Sequence, residues 1–198
     1  MAYSDFSLRK ALQDFDLSTQ DEAFFRSIEP IIPSSYLLEF LERSLPLAIA
    51  IGTEKARSEL LVSPILLEVR EQKERKISFF SGIDFTVDAS LGLNGVCDFL
   101  MSRSPEQMLL TAPVAVVVEA KRGELDSGMG QCLAEMVAAQ KFNHDRGNEV
   151  STIYGSVTSG SVWRFLKLEN QKVTFDLTEY AIPPIDRVLG LLVHAASA

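Results

Sequence analysis

The chain has 198 residues, 46% of them hydrophobic and 23% charged, with a formal net charge of −8. These values predict a soluble folded protein of one ordinary domain, with or without a terminal extension. Apolar runs of only five or six residues exclude membrane-spanning helices, and the polar, acidic first residues favour a cytoplasmic protein over a secreted one. The acidic balance disfavours broad non-specific attraction to nucleic acid, but it leaves room for a local basic groove.

Apolar periodicity and turn residues divide the chain into alternating helical and extended segments. The predicted helices cover residues 6–15, 33–45, 53–75, 128–147 and 187–196. The predicted strands cover residues 77–88, 95–102, 112–122, 150–160, 161–170 and 172–180. Ser34 or Ser35 is expected to cap the second helix and Pro46 to interrupt it, whereas Pro64 should kink the third helix or split it in two.

This order predicts an α/β fold in which helices flank a central mixed β-sheet. The solid apolar run 114–118 indicates a strand that is buried on both faces and therefore central in the sheet. Residues 1–52 are expected to form an N-terminal helical extension packed on the core. Residues 53–198 should hold the αβββαβ core and a closing C-terminal helix.

Cysteine and histidine usage limits the kinds of metal site that the chain could build. Cys97 and Cys132 lie in apolar segments without CxxC spacing, which favours two buried thiols over a zinc site. His144 and His194 are too few and too far apart to form a histidine cluster. Any metal would therefore be held by oxygen ligands, as Mg²⁺ and Mn²⁺ are.

Three charged residues on the second and third predicted strands suggest such an oxygen site. Glu119 and Lys121 are two positions apart, so on a strand they share one face at the end of the apolar run. Asp98 stands among apolar residues on the preceding strand, where a lone carboxylate is unfavourable. If these strands are neighbours, the two carboxylates meet, and a divalent cation would relieve their repulsion.

The charged residues also occur in an order that resembles a known family of nucleases. Asp98, then Glu119-Ala120-Lys121, a preceding helix with Glu59 and a following helix with Gln131 resemble the PD-(D/E)XK superfamily of restriction-endonuclease-like nucleases. The resemblance covers roughly residues 53 to 168 and is strongest with small stand-alone members. Cys97 stands where the family name expects proline.

The resemblance implies a catalytic set consisting of Asp98, Glu119, Lys121, Glu59 and Gln131. Within it, the metal ligands for Mg²⁺ or Mn²⁺ would be Asp98, Glu119, the carbonyl oxygen of Ala120 and, often through water, Glu59. Lys121 would orient or deprotonate the attacking water, with Gln131 beside it. The implied activity is hydrolysis of phosphodiesters in nucleic acid, with DNA the expected substrate, and a homodimer would assemble a longer binding groove.

Other interpretations remain open for the same residues. The fold could serve a non-catalytic subunit or regulator of a nucleic-acid-processing complex, or the strand-end charges could be incidental to a structural domain. Glu59 could be an ordinary exposed helix residue, and Glu135, one turn after Gln131, is a weaker candidate for the site. Trp163 is expected to pack in the core rather than to stack on a base.

Overall fold

A computed structural model describes residues 1–25, 27–148 and 150–197 of the chain. In these residues it shows an α/β fold with a mixed sheet of eight strands and helices on its two faces. The predicted fold class is therefore confirmed at this level. The segment 53–169 also follows the predicted order of helix, three strands, helix and two strands.

The helices and strands have the following bounds. The α-helices are α1 Leu8–Asp14, α2 Ser35–Ile51, α3 Glu54–Arg57, α4 Ser63–Gln72, α5 Asp126–His144 and α6 Asp186–Ser197. The strands are β1 Ser18–Glu22, β2 Ser78–Asp84, β3 Val96–Ser102, β4 Val114–Ala120, β5 Thr152–Thr158, β6 Val162–Glu169, β7 Lys172–Asp176 and β8 Tyr180–Ala181. A π-helical turn, Ser58–Val62, connects α3 to α4.

The strands follow the order β1-β7-β6-β5-β4-β3-β2 across the sheet, and β8 pairs with β6. The pairs β4–β5 and β1–β7 are parallel, whereas the other neighbouring strands are antiparallel. All seven residues of β4 are buried between β3 and β5. The apolar run therefore forms an interior strand as predicted, because both of its faces meet hydrophobic layers.

Each face of the sheet carries its own hydrophobic core. Helices α2, α4 and α6 contribute to one core, in which Trp163 is fully buried. Helices α1 and α5 contribute to the other, which contains both free thiols, Cys97 and Cys132. These positions confirm the predicted packing roles of the tryptophan and the cysteines.

Residues 1–52 contribute more to the sheet than the predicted helical extension would. They contain α1 and α2, but β1 also adds an edge strand parallel to β7. The sequence STQDE of β1 is polar, and none of its side chains is buried. Because backbone pairing with β7, and not a buried apolar face, holds this strand in the sheet, hydrophobic alternation could not have predicted it.

Two proline positions show how the predicted helices differ from the observed ones. Pro46 lies inside α2 and does not interrupt it, since the helix continues to Ile51 and ends at Gly52 with φ of 68°. An exposed helix face tolerates the missing hydrogen bond because water can reach the freed carbonyl group. Pro64 lies in the first turn of α4, where the backbone N–H that proline lacks would have no partner within the helix. The predicted change in the helix occurs just before it, at the π-helical turn Ser58–Val62.

Candidate metal centre

Asp98 and Glu119 come together because β3 and β4 are adjacent antiparallel strands. Phe99 pairs with Val118, so the next residue pair outward along the two strands is Asp98 and Glu119. The Ala120 backbone N–H donates a 2.8 Å hydrogen bond to Asp98 Oδ2. Asp98 is half-buried, whereas the Glu119 side chain is only 1% exposed.

Lys121 links these carboxylates to helix α5. Its ammonium lies 2.5 Å from Glu119 Oε1 and donates a 3.3 Å hydrogen bond to Gln131 Oε1. The Gln131 amide nitrogen in turn donates to Glu135 Oε1 at 3.0 Å. A continuous line of polar contacts therefore runs from the end of β4 to a fully buried carboxyl on α5.

Close packing of α5 against the strand end depends on Gly128. A Cβ atom there would lie 2.8 Å from Val157 Cγ1 and 3.0 Å from Lys121 Cγ, closer than ordinary contacts allow. The absent side chain lets the first turn of α5 lie against the aliphatic part of Lys121. One turn along the helix, Gln131 is then within hydrogen-bonding reach of the ammonium.

Burial and mutual repulsion favour the neutral forms of the two buried carboxyls. Burial, reinforced by the charge of Asp98, raises the pKa of Glu119 to about 8 although Lys121 opposes this shift. Burial likewise raises the pKa of Glu135 well above its usual value, with Glu119 as the next cause. Burial by itself would lower the pKa of the Lys121 ammonium. The contact with Glu119 has the opposite effect and is the main reason that this pKa is raised.

One oxygen of each buried carboxyl has no polar partner among the described residues. These atoms are Glu119 Oε2 and Glu135 Oε2. Buried carboxyl oxygens without a partner are unfavourable and rare in folded proteins. At Glu119 the unpartnered oxygen belongs to the same cluster as Asp98, and a carboxyl oxygen without a partner is a group to which a cation can bind.

A groove of about 290 Å³ reaches Asp98 from the solvent. Asp98, Glu54 and Glu59 line it, together with Ser81 and Gly82 of β2. A larger groove of about 780 Å³ is lined by residues from the carboxyl-terminal half of α5 onward and lies away from the carboxylates. The small groove is therefore the one that opens beside Asp98.

The two glutamates that line this groove differ in their contacts. Glu59, which the sequence singled out, has a side chain that is 61% exposed and pairs with Lys55 at 2.9 Å. Glu54 accepts a 3.1 Å hydrogen bond from the Arg122 backbone N–H and contributes to the raised pKa of Glu119. No motif marks Glu54, which approaches the strand end only because α3 begins there.

The donor set can be compared with the needs of a divalent cation. Within residues 1–25, 27–148 and 150–197, no three or more His, Cys, Asp or Glu side chains form a ready metal-ligating group. The set that the resemblance implies has two carboxylates, Asp98 and Glu119, and the main-chain carbonyl of Ala120. These oxygen donors fit Mg²⁺ or Mn²⁺, which keep several water ligands and take few from the protein.

Comparisons with protein-family models, curated proteins and solved structures find no match to this chain. The resemblance to the PD-(D/E)XK superfamily therefore stays a prediction that depends on the residues and their arrangement. None of the helices in the described ranges combines the length and the hydropathy needed to cross a bilayer.

Proposed function

We propose that the protein is a Mg²⁺-dependent nuclease of the PD-(D/E)XK type that hydrolyses phosphodiester bonds, with DNA as its substrate. One observation carries this proposal. The buried Glu119 carboxyl, the Asp98 carboxyl and the Lys121 ammonium meet at the end of two adjacent strands, beside a groove that opens to solvent.

Asp98, Glu119 and the carbonyl of Ala120 are the groups that would hold the cation, with Glu59 contributing through water. The support for this assignment is the unpartnered Glu119 Oε2 and the repulsion between the two carboxyls, both of which a bound cation would relieve. The bound ion would act as a Lewis acid on the phosphate and would lower the pKa of a water molecule. Its binding should compete with the proton on Glu119, so affinity should rise with pH.

Lys121 is best suited to a role as a charged hydrogen-bond donor. Its raised pKa keeps the ammonium protonated at neutral pH, which disfavours a role as general base. The contacts with Glu119 and Gln131 use two of the three N–H bonds of the Lys121 ammonium and limit its rotation. The third N–H bond therefore points in a defined direction. We therefore assign to Lys121 the orientation of the attacking water and the stabilisation of negative charge on the phosphate.

Substrate binding must come from groups near the groove, because the whole chain carries a net charge of −8. Lys55 lines the groove with an 82% exposed side chain, and Arg122 is exposed directly after the catalytic lysine. Two cations provide few phosphate contacts, so DNA binding is expected to be weak and sensitive to salt.

The proposal is tested by assaying cleavage of single- and double-stranded DNA and of RNA with Mg²⁺, Mn²⁺ or EDTA. Lys121→Ala should lower the cleavage rate about 100-fold or more, as loss of one transition-state donor does. Lys76→Ala is the matched control, because Lys76 is exposed and its one ion pair within the described ranges is with Glu74 at the surface. The variant proteins should have the same melting temperature within a few degrees.

The alternative is a non-catalytic subunit with the same fold, and the acidic net charge favours it. It predicts that the wild-type protein cleaves none of these substrates and that calorimetry detects no Mn²⁺ binding. Both results together would contradict the nuclease proposal. Mn²⁺ binding that Asp98→Asn abolishes would support the metal site even with an unsuitable substrate.

A further inference from the structure

The groove beside Asp98 lies between a helical segment and the edge strand β2. Residues 54–63, which run through α3 and the π-helical turn to the start of α4, supply one wall, and Ser81 and Gly82 of β2 supply the other. Apart from its charged residues, the polar side chains of this groove are all serines. They are Ser58, Ser63 and Ser81.

The π-helical turn brings two of these serines to the same side of the helical segment. Ser58 begins the turn, and the backbone N–H of Ser63, five residues later, donates to the carbonyl oxygen of Ser58. In a regular α-helix, residues five apart are separated by about 140° around the axis and point in different directions. The wider π-helical turn places Ser63 close to one full turn after Ser58, so both side chains line the groove.

The three serine hydroxyls are available to a ligand in the groove. Ser58 and Ser63 are half-buried and Ser81 is exposed, and within the described ranges their hydroxyls make no hydrogen bond to the protein. On the strand wall, Gly82 has a φ of 61°, and a Cβ atom there would meet no heavy atom within 4 Å. The groove is therefore open next to Ser81, and each hydroxyl can rotate to donate to a ligand.

The charged residues of the groove determine when an anion can enter it. Three carboxylates, those of Glu54, Glu59 and Asp98, share the groove with one ammonium, that of Lys55. Without a metal the groove therefore has two more negative than positive charges and repels an anion. A divalent cation at Asp98 would balance this excess, and neutral hydroxyl donors could then bind the oxygens of an anionic ligand.

We propose that Ser58, Ser63 and Ser81 bind phosphate oxygens of one nucleic-acid strand, and that they do so only when a divalent cation occupies the groove. This assignment rests on the proposed nuclease function and adds the residues that hold its substrate. Serine hydroxyls are common donors to phosphate oxygens, and such contacts position a strand without reading its base sequence. The groove volume of about 290 Å³ is at the lower end of ligand sites, so it holds a short part of a single strand.

The first test is binding of a fluorescein-labelled single-stranded oligothymidine of about 12 nucleotides, followed by fluorescence anisotropy. Lys121→Ala serves as the parent protein, so that the strand stays intact in Mg²⁺. Binding should occur in Mg²⁺ and disappear in EDTA. Adding Ser58→Ala or Ser81→Ala should weaken binding about 10-fold each, as loss of a hydrogen bond to a charged group does.

Ser151→Ala is the matched control for these serine variants. Ser151 is an exposed serine that lines the larger groove, away from the carboxylates. Its replacement removes the same hydroxyl group from the surface and should leave binding of the oligothymidine unchanged. Melting temperatures of all variants verify that the fold is retained.

The second test separates substrate binding from a structural role of the serines. In the cleavage assay, Ser58→Ala should raise KM about 10-fold and leave kcat within about twofold, which is the pattern of lost substrate binding. Mn²⁺ affinity, measured by calorimetry without nucleic acid, should stay the same because the serines are not assigned as metal ligands. A purely structural role would instead lower the melting temperature and would change kcat and Mn²⁺ affinity together.

Three results would overturn the proposal. If the wild-type protein cleaves DNA but Ser58→Ala and Ser81→Ala leave KM unchanged, the nuclease function stands and the serines do not hold the substrate. The second result is equal binding of the oligothymidine in Mg²⁺ and EDTA, and the third is no binding in either. Conversely, Mg²⁺-dependent binding that the serine variants weaken, in a protein that cleaves nothing, would support the serine site and contradict only the nuclease function.

Discussion

Replacing Glu119 by glutamine should stabilise the protein in the absence of metal, and increasingly so as the pH rises. The Glu119 side chain is 1% exposed, and its pKa is raised from the usual 4.5 to about 8 by burial and by Asp98. Glutamine keeps the shape of the side chain and an oxygen that can accept a hydrogen bond from the Lys121 ammonium, but it cannot ionise. The substitution therefore removes the loss of stability that the wild-type protein suffers because its unfolded chain ionises this carboxyl at a lower pH than the folded protein does.

The sign and size of this effect follow from proton binding by the folded and unfolded chains. Between pH 4.5 and about 8 the folded protein keeps the Glu119 proton while the unfolded chain releases it. The free energy of unfolding therefore falls by up to about 1.4 kcal/mol for each pH unit in this window. Over three units the loss approaches about 4 kcal/mol, a large part of the 5–15 kcal/mol that stabilises a typical domain.

Urea denaturation of wild type and Glu119→Gln at pH 5, 6.5 and 8 in EDTA measures this difference. The variant should gain little at pH 5 and about 2–4 kcal/mol at pH 8. Glu124→Gln is the control, because Glu124 is exposed next to the site and its removal should change stability by less than about 0.5 kcal/mol. Parallel stability profiles for wild type and Glu119→Gln would refute the reasoning, since they would show an ordinary carboxylate at position 119.

Three further substitutions test other parts of the structure. Gly130→Ala should cost about 2–4 kcal/mol in urea denaturation, because its Cβ would lie 2.3 Å from the Phe6 carbonyl oxygen and would push the N-terminal segment off α5. Glu54→Gln should weaken Mn²⁺ binding about 10-fold in calorimetry, because it removes a negative charge near Glu119. Glu59→Gln should weaken Mn²⁺ binding less, because the Glu59 side chain is largely exposed. Glu135→Gln should raise the free energy of unfolding at neutral pH in urea denaturation, because burial raises the pKa of this carboxyl well above its usual value and a glutamine cannot ionise in the unfolded chain; an unchanged free energy of unfolding would contradict a neutral buried carboxyl at this position.

Several features of the fold were predictable because they depend on local physics. The apolar run of β4 predicted an interior strand, and the serine before α2 predicted its cap, which the Ser34 hydroxyl supplies by accepting from the Leu37 N–H. The order of helices and strands from 53 to 169 also follows from periodicity and turn residues. These signals reside within a few residues of each other, so the chain carries them before it folds.

The sequence also identified much of the candidate site. Asp98, Glu119, Lys121 and Gln131 were all singled out, and the structure brings them together at one strand end. Strand alternation placed Glu119 and Lys121 on one face, and helix spacing places Gln131 one turn from Glu135. What the spacing alone left open was whether β3 and β4 are neighbours, since that depends on pairing across the chain.

Only the tertiary structure decided the remaining features, because they arise between segments that are distant in sequence. Polar β1 joins the sheet through backbone hydrogen bonds to β7, for which hydrophobic patterning has no signal. Glu54 approaches the strand end because of where α3 begins, and Glu135 becomes a buried carboxyl because α5 packs against β4 and β5. The sequence by itself therefore determined which residues could form the candidate site, and packing decided their surroundings and their protonation.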